Sequence, residues 1–186
     1  MEFTPRQLSI IAGLSYVAIF FLAIYANFFV LEALKADPVG TAIDKQQHIR
    51  FGVLAFLFAA VFDIVVAWVL YVLYKDKQLT QLSTYFRVAH AILMGAAVFA
   101  LMAILELTAS DAISAQVDAF NTLWLIGLFF FGFHLIFLAG IVQHVRFIPY
   151  LLALAGVMYV VDTIAHFTLA NYEVYADIFL LLVAVP

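Results

Sequence analysis

The chain has 186 residues, 68% of them hydrophobic and 11% charged, with a net charge of −4 and no cysteine. Soluble domains hold roughly half apolar and a quarter charged residues, so a water-soluble fold is excluded. The absence of cysteine excludes disulfides, thiolate catalysis and iron–sulfur centres. The acidic balance, without any basic run, argues against nucleic acid as a partner.

The first apolar run covers 8–31. About 20 apolar residues suffice to cross a bilayer as a helix. The run exceeds the roughly 7–15 residues of a signal-peptide core, and no small-x-small site follows it, so it reads as a retained span. The 32–50 segment reads as the one long connection. Its Ala36-Asp37-Pro38-Val39-Gly40 stretch predicts a turn, with Pro38 fixing φ and Gly40 taking positive φ. The second run, 51–74, carries Asp63 near its middle. The third, 84–107, carries Arg87 and His90. Asp111–Ser114 reads as a short outer turn or cap. The fourth run, 120–142, carries His134. The fifth, 148–169, opens on Pro149, where a missing N–H costs nothing, and carries Asp162.

A last run starts at Glu173 and has 14 residues to Pro186. As a helix it would reach roughly 21 Å, short of a hydrocarbon core of roughly 30 Å. It is expected to be a sixth span cut short in the sequence. The expectation is therefore an all-α, polytopic transmembrane helical bundle. It forms one domain over 1–186, with spans at about 8–31, 51–74, 84–107, 120–142, 148–169 and a partial 173–186. Arg6, Lys75, Lys77, Arg87 and Arg146 fall on one side, and Lys35, Lys45 and Arg50 on the other. The excess of Lys and Arg predicts a cytosolic N-terminus. Trp68 and Trp124, near span ends, read as an aromatic belt. Small residues such as Ala91 with Gly95, and Gly127, Gly132 and Gly140, read as helix-packing positions.

The ionisable residues inside the spans stand out. A midspan charge costs roughly 2.5–3.5 kcal/mol on insertion scales, so it faces protein or water. Counted from the cytosolic helix ends, Arg87 lies roughly 5 Å deep, His90 roughly 9 Å, His134 roughly 12 Å and Asp63 roughly 17 Å. These four form the candidate buried polar cluster, open towards the cytosol, with Asp63 and His134 expected within reach of each other. Arg87 could equally snorkel to the headgroups. Tyr159, Asp162, Thr163 and His166 form a second stripe on one face of the fifth span. Glu106, Glu173 and Asp177 read as an ordinary solvated outer rim.

Phe130-Phe131-Gly132-Phe133-His134-Leu135-Ile136-Phe137-Leu138-Ala139-Gly140, followed by Phe147-Ile148-Pro149-Tyr150-Leu151-Leu152 and Ala155-Gly156-Val157-Met158-Tyr159-Val160-Val161-Asp162, resembles a family of uncharacterised bacterial integral membrane proteins. Arg6 with Ala12-Gly13, and Phe86-Arg87, fit it too. That family is catalogued only as a domain of unknown function. The resemblance implies six helices and a bacterial cytoplasmic (inner) membrane, and implies no activity.

Four functional readings follow. The first is proton-linked small-molecule transport or sensing by the Asp/His/Arg cluster, since intramembrane Asp and His mark proton or substrate paths and His titrates near neutrality. The second is a structural or accessory membrane protein whose polar groups satisfy one another across helices. A zinc enzyme is disfavoured because His134 and His166 differ in depth by roughly 15 Å and no HExxH signature is present. A haem carrier using His90 and His134 is disfavoured because neighbouring helices roughly 8–10 Å apart leave no room for a flat macrocycle. The sequence thus leans against an enzyme and predicts no cofactor and no metal. Its expected partners are the lipid bilayer and a small molecule or proton. The topology makes one firm prediction: single cysteines placed at Gln81 and Asp111 react with an impermeant reagent from opposite faces of the membrane, and same-face labelling refutes it.

Overall fold

The computed structural model describes residues 3–143, 146–169 and 172. Among them no strand occurs, and the fold is all-helical. Five helical stretches are long and apolar enough to cross a membrane: Pro5–Ala36, Gln46–Leu73, Thr80–Glu106, Ser110–Ile141 and Ile148–Thr168. The expected sixth span from Glu173, with Glu173 and Asp177, lies outside the described residues.

Helix α1 (Pro5–Ile24) starts ahead of the apolar run because Thr4 builds a capping box. The Thr4 hydroxyl accepts from the Gln7 N–H at 3.3 Å, and Gln7 Oε1 accepts from the Thr4 N–H at 2.9 Å. Pro5 at the first helical position lacks only an N–H that would have no intrahelical partner. The helix then widens into a π-helical segment, Tyr25–Leu31. The Asn27 side-chain amide donates to the Ala23 carbonyl at 2.9 Å. That acceptor would serve the Asn27 N–H in an α-helix, so the side chain competes for it and a wider turn results.

The segment after 31 is helical, which corrects the expectation of a loop with a glycine turn. Helix α2 (Glu32–Ala36) ends at Asp37, and α3 (Pro38–Asp44) starts directly after it. The Asp37 carboxylate caps α3 by accepting from the Gly40 N–H at 3.0 Å. Thr41 Oγ1 ties α3 back to α2 by donating to the Ala33 carbonyl at 3.0 Å. No glycine takes positive φ among the described residues. Gly40 is suited to its place for a different reason: a Cβ there would lie 2.1 Å from Asp37 Oδ2.

Helices α4 (Gln46–Leu73), α5 (Thr80–Ala103), α6 (Ser110–Ile141) and α7 (Ile148–Thr168) complete the described fold. Of the two expectations for Asp111–Ser114, a short outer turn or a cap, the separate turn is absent: these residues lie in the first turns of α6, with Asp111 as the acidic residue of its start. Ile113, Val117 and Phe120, spaced for one helical face, are all buried and extend the helix ahead of the apolar run.

Two compact units divide the chain. One comprises Met1–Val69 and Ala91–Trp124, the other Leu70–His90 and Leu125–Pro186. The first unit buries Val30, Leu34, Ile49, Phe56, Leu101 and Phe120 in one apolar cluster. Its centre is an aromatic triad. The Phe56 ring lies 5.0 Å from Phe120 and 5.2 Å from Trp124. Trp124 is thus partly buried against this core, well inside α6.

In the second unit α6 and α7 meet at two glycines. A Cβ on Gly132 would lie 2.7 Å from the Gly156 carbonyl oxygen, and one on Gly156 would lie 2.6 Å from that of Gly132. Only hydrogen at both positions lets the backbones touch. Above this contact Thr163 Oγ1 donates to the Tyr159 carbonyl at 2.9 Å and reaches the Leu125 carbonyl of α6 at 3.3 Å. The packing role expected of Gly132 is therefore specific, whereas Gly95 has nothing within 4 Å of where its Cβ would be. Gly156→Val should destabilise the protein by about 1–3 kcal/mol through overpacking. Gly95→Ala should be neutral or slightly stabilising. Thermal unfolding of both variants in detergent micelles checks the contrast.

Candidate functional site

Ser83, Arg87 and His90 sit at helical spacing on α5, and all three are buried. Phe131 and His134 sit one turn apart on α6. In the second unit these residues converge on the His134 ring. Arg87 Nη1 lies 3.1 Å from His134 Nε2. On the other side of the ring, His134 Nδ1 lies 3.0 Å from the Ser83 carbonyl oxygen and 2.9 Å from Ser83 Oγ. Ser83 Oγ also donates to the His134 main-chain carbonyl at 3.2 Å.

These contacts fix the protons. A guanidinium has donors and no acceptor, so His134 Nε2 must accept. The proton of the neutral ring is then on Nδ1, where the Ser83 carbonyl can only accept it. The imidazole is thereby held as one tautomer, and both of its nitrogens are engaged. With Ser83 Oγ donating to the His134 carbonyl, its lone pair is available to Nδ1–H as well. One serine and one histidine thus clip α5 to α6 through both side chain and backbone.

Phe131 connects the remaining groups. The Arg87 guanidinium carbon lies 5.4 Å from the centre of the Phe131 ring, within the range of a cation–π contact. The ring centres of His90, His134 and Tyr159 lie 4.8, 5.6 and 5.8 Å from it. Next to Arg87 on α5, Phe86 stacks on Phe133 and Phe137 of α6 at 5.2 and 5.5 Å. This aromatic packing sets the rotation of α5 about its axis.

The sequence-derived candidates separate as follows. Arg87, His90 and His134 come together in the second unit. Arg87 is 2% exposed and turned onto His134, so it does not snorkel. Asp63 is buried on α4, within the first unit. The second stripe divides. Tyr159 faces Phe131, and Thr163 is a packing residue bonded to backbone. Asp162 accepts a hydrogen bond from the Tyr172 hydroxyl, and the exposed His166 packs its ring edge-on to Tyr172 at 5.4 Å. Sequence reasoning missed Ser83, Phe131 and Tyr172. Ser83 had a usable signal, since it lies one turn before Arg87 on the face that also carries His90.

Axial haem ligation by His134 would require one ring nitrogen to leave the bonds just described. No group of three or more His, Cys, Asp or Glu is placed to hold a metal ion among the described residues.

A model of the family described as "Domain of unknown function (DUF4386)" matches residues 11–186. The chain belongs to that family. No curated protein and no solved structure matches it. Membership of DUF4386 agrees with the resemblance read from the α6 and α7 sequences and assigns no chemistry to the residues around His134. The roles of those residues in this DUF4386 chain rest on geometry alone.

The clip predicts an ordered mutational series. Ser83→Ala removes the Oγ bonds but keeps the Ser83 carbonyl, and should cost about 1 kcal/mol. His134→Leu removes the acceptor that Arg87 Nη1 uses in a buried place, and should cost about 1–3 kcal/mol more. His134→Gln can present an amide oxygen to Arg87 and should recover part of that loss. Midpoints of thermal unfolding in micelles give the ranking.

Proposed function

We propose that this integral membrane protein carries out proton-linked small-molecule transport or sensing, with Arg87 and His134 as the proton-responsive pair. The observation that carries the reading is the acceptor role of His134 Nε2 towards a guanidinium. A proton can reach Nε2 only if Arg87 gives up that bond, because a doubly protonated ring has no lone pair to offer. Proton uptake and movement of the guanidinium are then one event. Coupling of this kind is what a proton-linked cycle requires: the arrival of one charge shifts the position of another.

Insertion cost supports the same assignment. A buried arginine and a buried aspartate, Asp63, are both retained in spans where apolar residues would insert more readily. Asp63 is included in the functional group on that ground. His90, which like Arg87 packs on the Phe131 ring, is a further titratable neighbour. A cytosolic N-terminus and the bacterial inner membrane, expected from the Lys/Arg bias and the family resemblance, complete the proposal. The lipid bilayer is its environment, and a small molecule or proton its ligand.

One observation favours the second reading, that of an accessory or structural protein. Both His134 nitrogens are satisfied within the protein, as a purely architectural clip would require. Nitrogen NMR of histidine-labelled protein in vesicles separates the two, with His134→Gln assigning the signal. Under the proposal, acidification from about pH 8 to about pH 2 converts the His134 ring from the Nδ1–H tautomer to the doubly protonated form, with a simultaneous change at the Arg87 guanidinium. A ring that keeps one neutral tautomer throughout refutes the proton-linked function and leaves the architectural one.

A further inference from the structure

Two clefts open along the α6–α7 seam within the second unit. One, of about 270 Å³, is lined by Ile126, Phe129, Thr163, Ile164, Phe167 and Thr168. Both of its hydroxyls already donate to main-chain carbonyls, Thr163 to Tyr159 and Thr168 to Ile164. It offers a ligand nothing but hydrocarbon contact.

The other cleft differs. It holds about 320 Å³, and Phe131 and Leu135 of α6 with Leu151, Leu152, Ala155 and Tyr159 of α7 form most of its wall. That volume is at the lower end of the range for small-molecule sites, roughly 300–1,000 Å³. Tyr159 supplies the one polar side chain of the lining. Its ring packs against Phe131, and its main-chain carbonyl accepts from Thr163. Among the described residues its hydroxyl makes no hydrogen bond. A tyrosine hydroxyl taken out of water ordinarily finds a partner, and hydrocarbon supplies none.

We propose that this cleft binds a neutral, bilayer-dissolved lipophile carrying a flat ring with a carbonyl oxygen, of the quinone type. Each part of that description answers a feature of the cleft. Tyr159 is roughly 16 Å along α7 from Ile148 by helix rise, close to mid-bilayer. A charged headgroup or a phospholipid ester belongs at the interface, so the part of the ligand that meets Tyr159 is neutral. The hydroxyl of Tyr159 donates, so the ligand presents an acceptor. The rings of Phe131 and Tyr159 meet edge to face in the lining, 5.8 Å apart, and a flat ring packs well against either one. Tyr150 and Leu154, beside the cleft on α7, are exposed, so its mouth opens to the lipid side. Phe131 forms the far wall, and its ring also contacts Arg87, His90 and His134. An occupant of the cleft thus shares one side chain with the buried polar group, though the site does not depend on any function of that group.

Photolabelling tests the site. The full chain in phosphatidylcholine vesicles is irradiated with an azide-bearing decylbenzoquinone, and adducts are mapped by mass spectrometry. Adducts should concentrate on 148–159 and Phe131, well above those on Phe99, a residue of α5 that is 79% exposed. Unlabelled decylbenzoquinone should compete at least tenfold better than decylbenzene. Tyr159→Phe should abolish that tenfold difference, and Ala155→Trp should empty the cleft of label while Phe99 stays labelled. Leu152→Phe serves the same purpose if Ala155→Trp does not fold. Labelling of 148–159 no greater than at Phe99 overturns the proposal, as would follow if residues 173–186 or a second copy of the chain filled the cleft. Competition that ignores the carbonyl, or survives Tyr159→Phe unchanged, overturns it equally.

Discussion

Hydrocarbon offers no hydrogen bonds, so a polar group inside the spans has to find its partner in the protein or in what the protein binds. That constraint explains more of the structure than apolar packing does. The spans are helices because a helix satisfies its own backbone. Thr84, Thr122, Thr163 and Thr168 each bond the carbonyl four residues earlier, which hides their hydroxyls. Asn27 does the same with its amide and widens the helix in doing so. Ser83 and His134 carry the rule between helices and use both side chains and both main-chain carbonyls.

Arg87 is where the constraint bears hardest. A guanidinium does not lose its charge in a protein, so its surroundings must adapt to it. Two of its neighbours in the second unit are a lone pair on His134 and the face of Phe131. Both are neutral acceptors of positive charge. The imidazole is held in place by Ser83 and the phenyl ring by its packing on His90, His134 and Tyr159. The cation therefore rests on parts that three helices position together, and a change in any of the three reaches it.

Much of this was legible in the sequence. The apolar runs located the helices, and the cost of an ionised group in hydrocarbon singled out Arg87, His90 and His134. The errors have physical causes. Hydropathy reports only apolar stretches, so the amphipathic start of α6 at Ser110 passed for a loop, although Ile113, Val117 and Phe120 carried the helical spacing. Within the 32–50 connection, Ala36–Gly40 predicts a turn because proline and glycine usually punctuate chains; here Pro38 starts a helix and Gly40 makes room for the Asp37 cap. Ser83 was passed over because a lone serine has no hydropathy signature. What betrays it is its spacing from Arg87 together with a histidine on another helix, and depth alone does not specify that pairing.

The π-helical segment at Tyr25–Leu31 has a bearing on how this chain can change length. A π-turn closes its hydrogen bonds over five residues instead of four, so it houses one residue more than an α-helix needs to cover the same rise. Here the extra residue lies between the exposed, lipid-facing part of α1 and the buried Val30, Leu31 and Leu34 that join the core of the first unit. Removing one residue within 25–31 would let the helix close as a regular α-helix and keep both flanks in their present rotation. Removing one elsewhere in α1 would turn one flank by about 100° relative to the other and carry apolar core residues onto the lipid face. The segment is the register joint of the first helix, the place where an insertion or deletion can be absorbed without repacking what lies on either side.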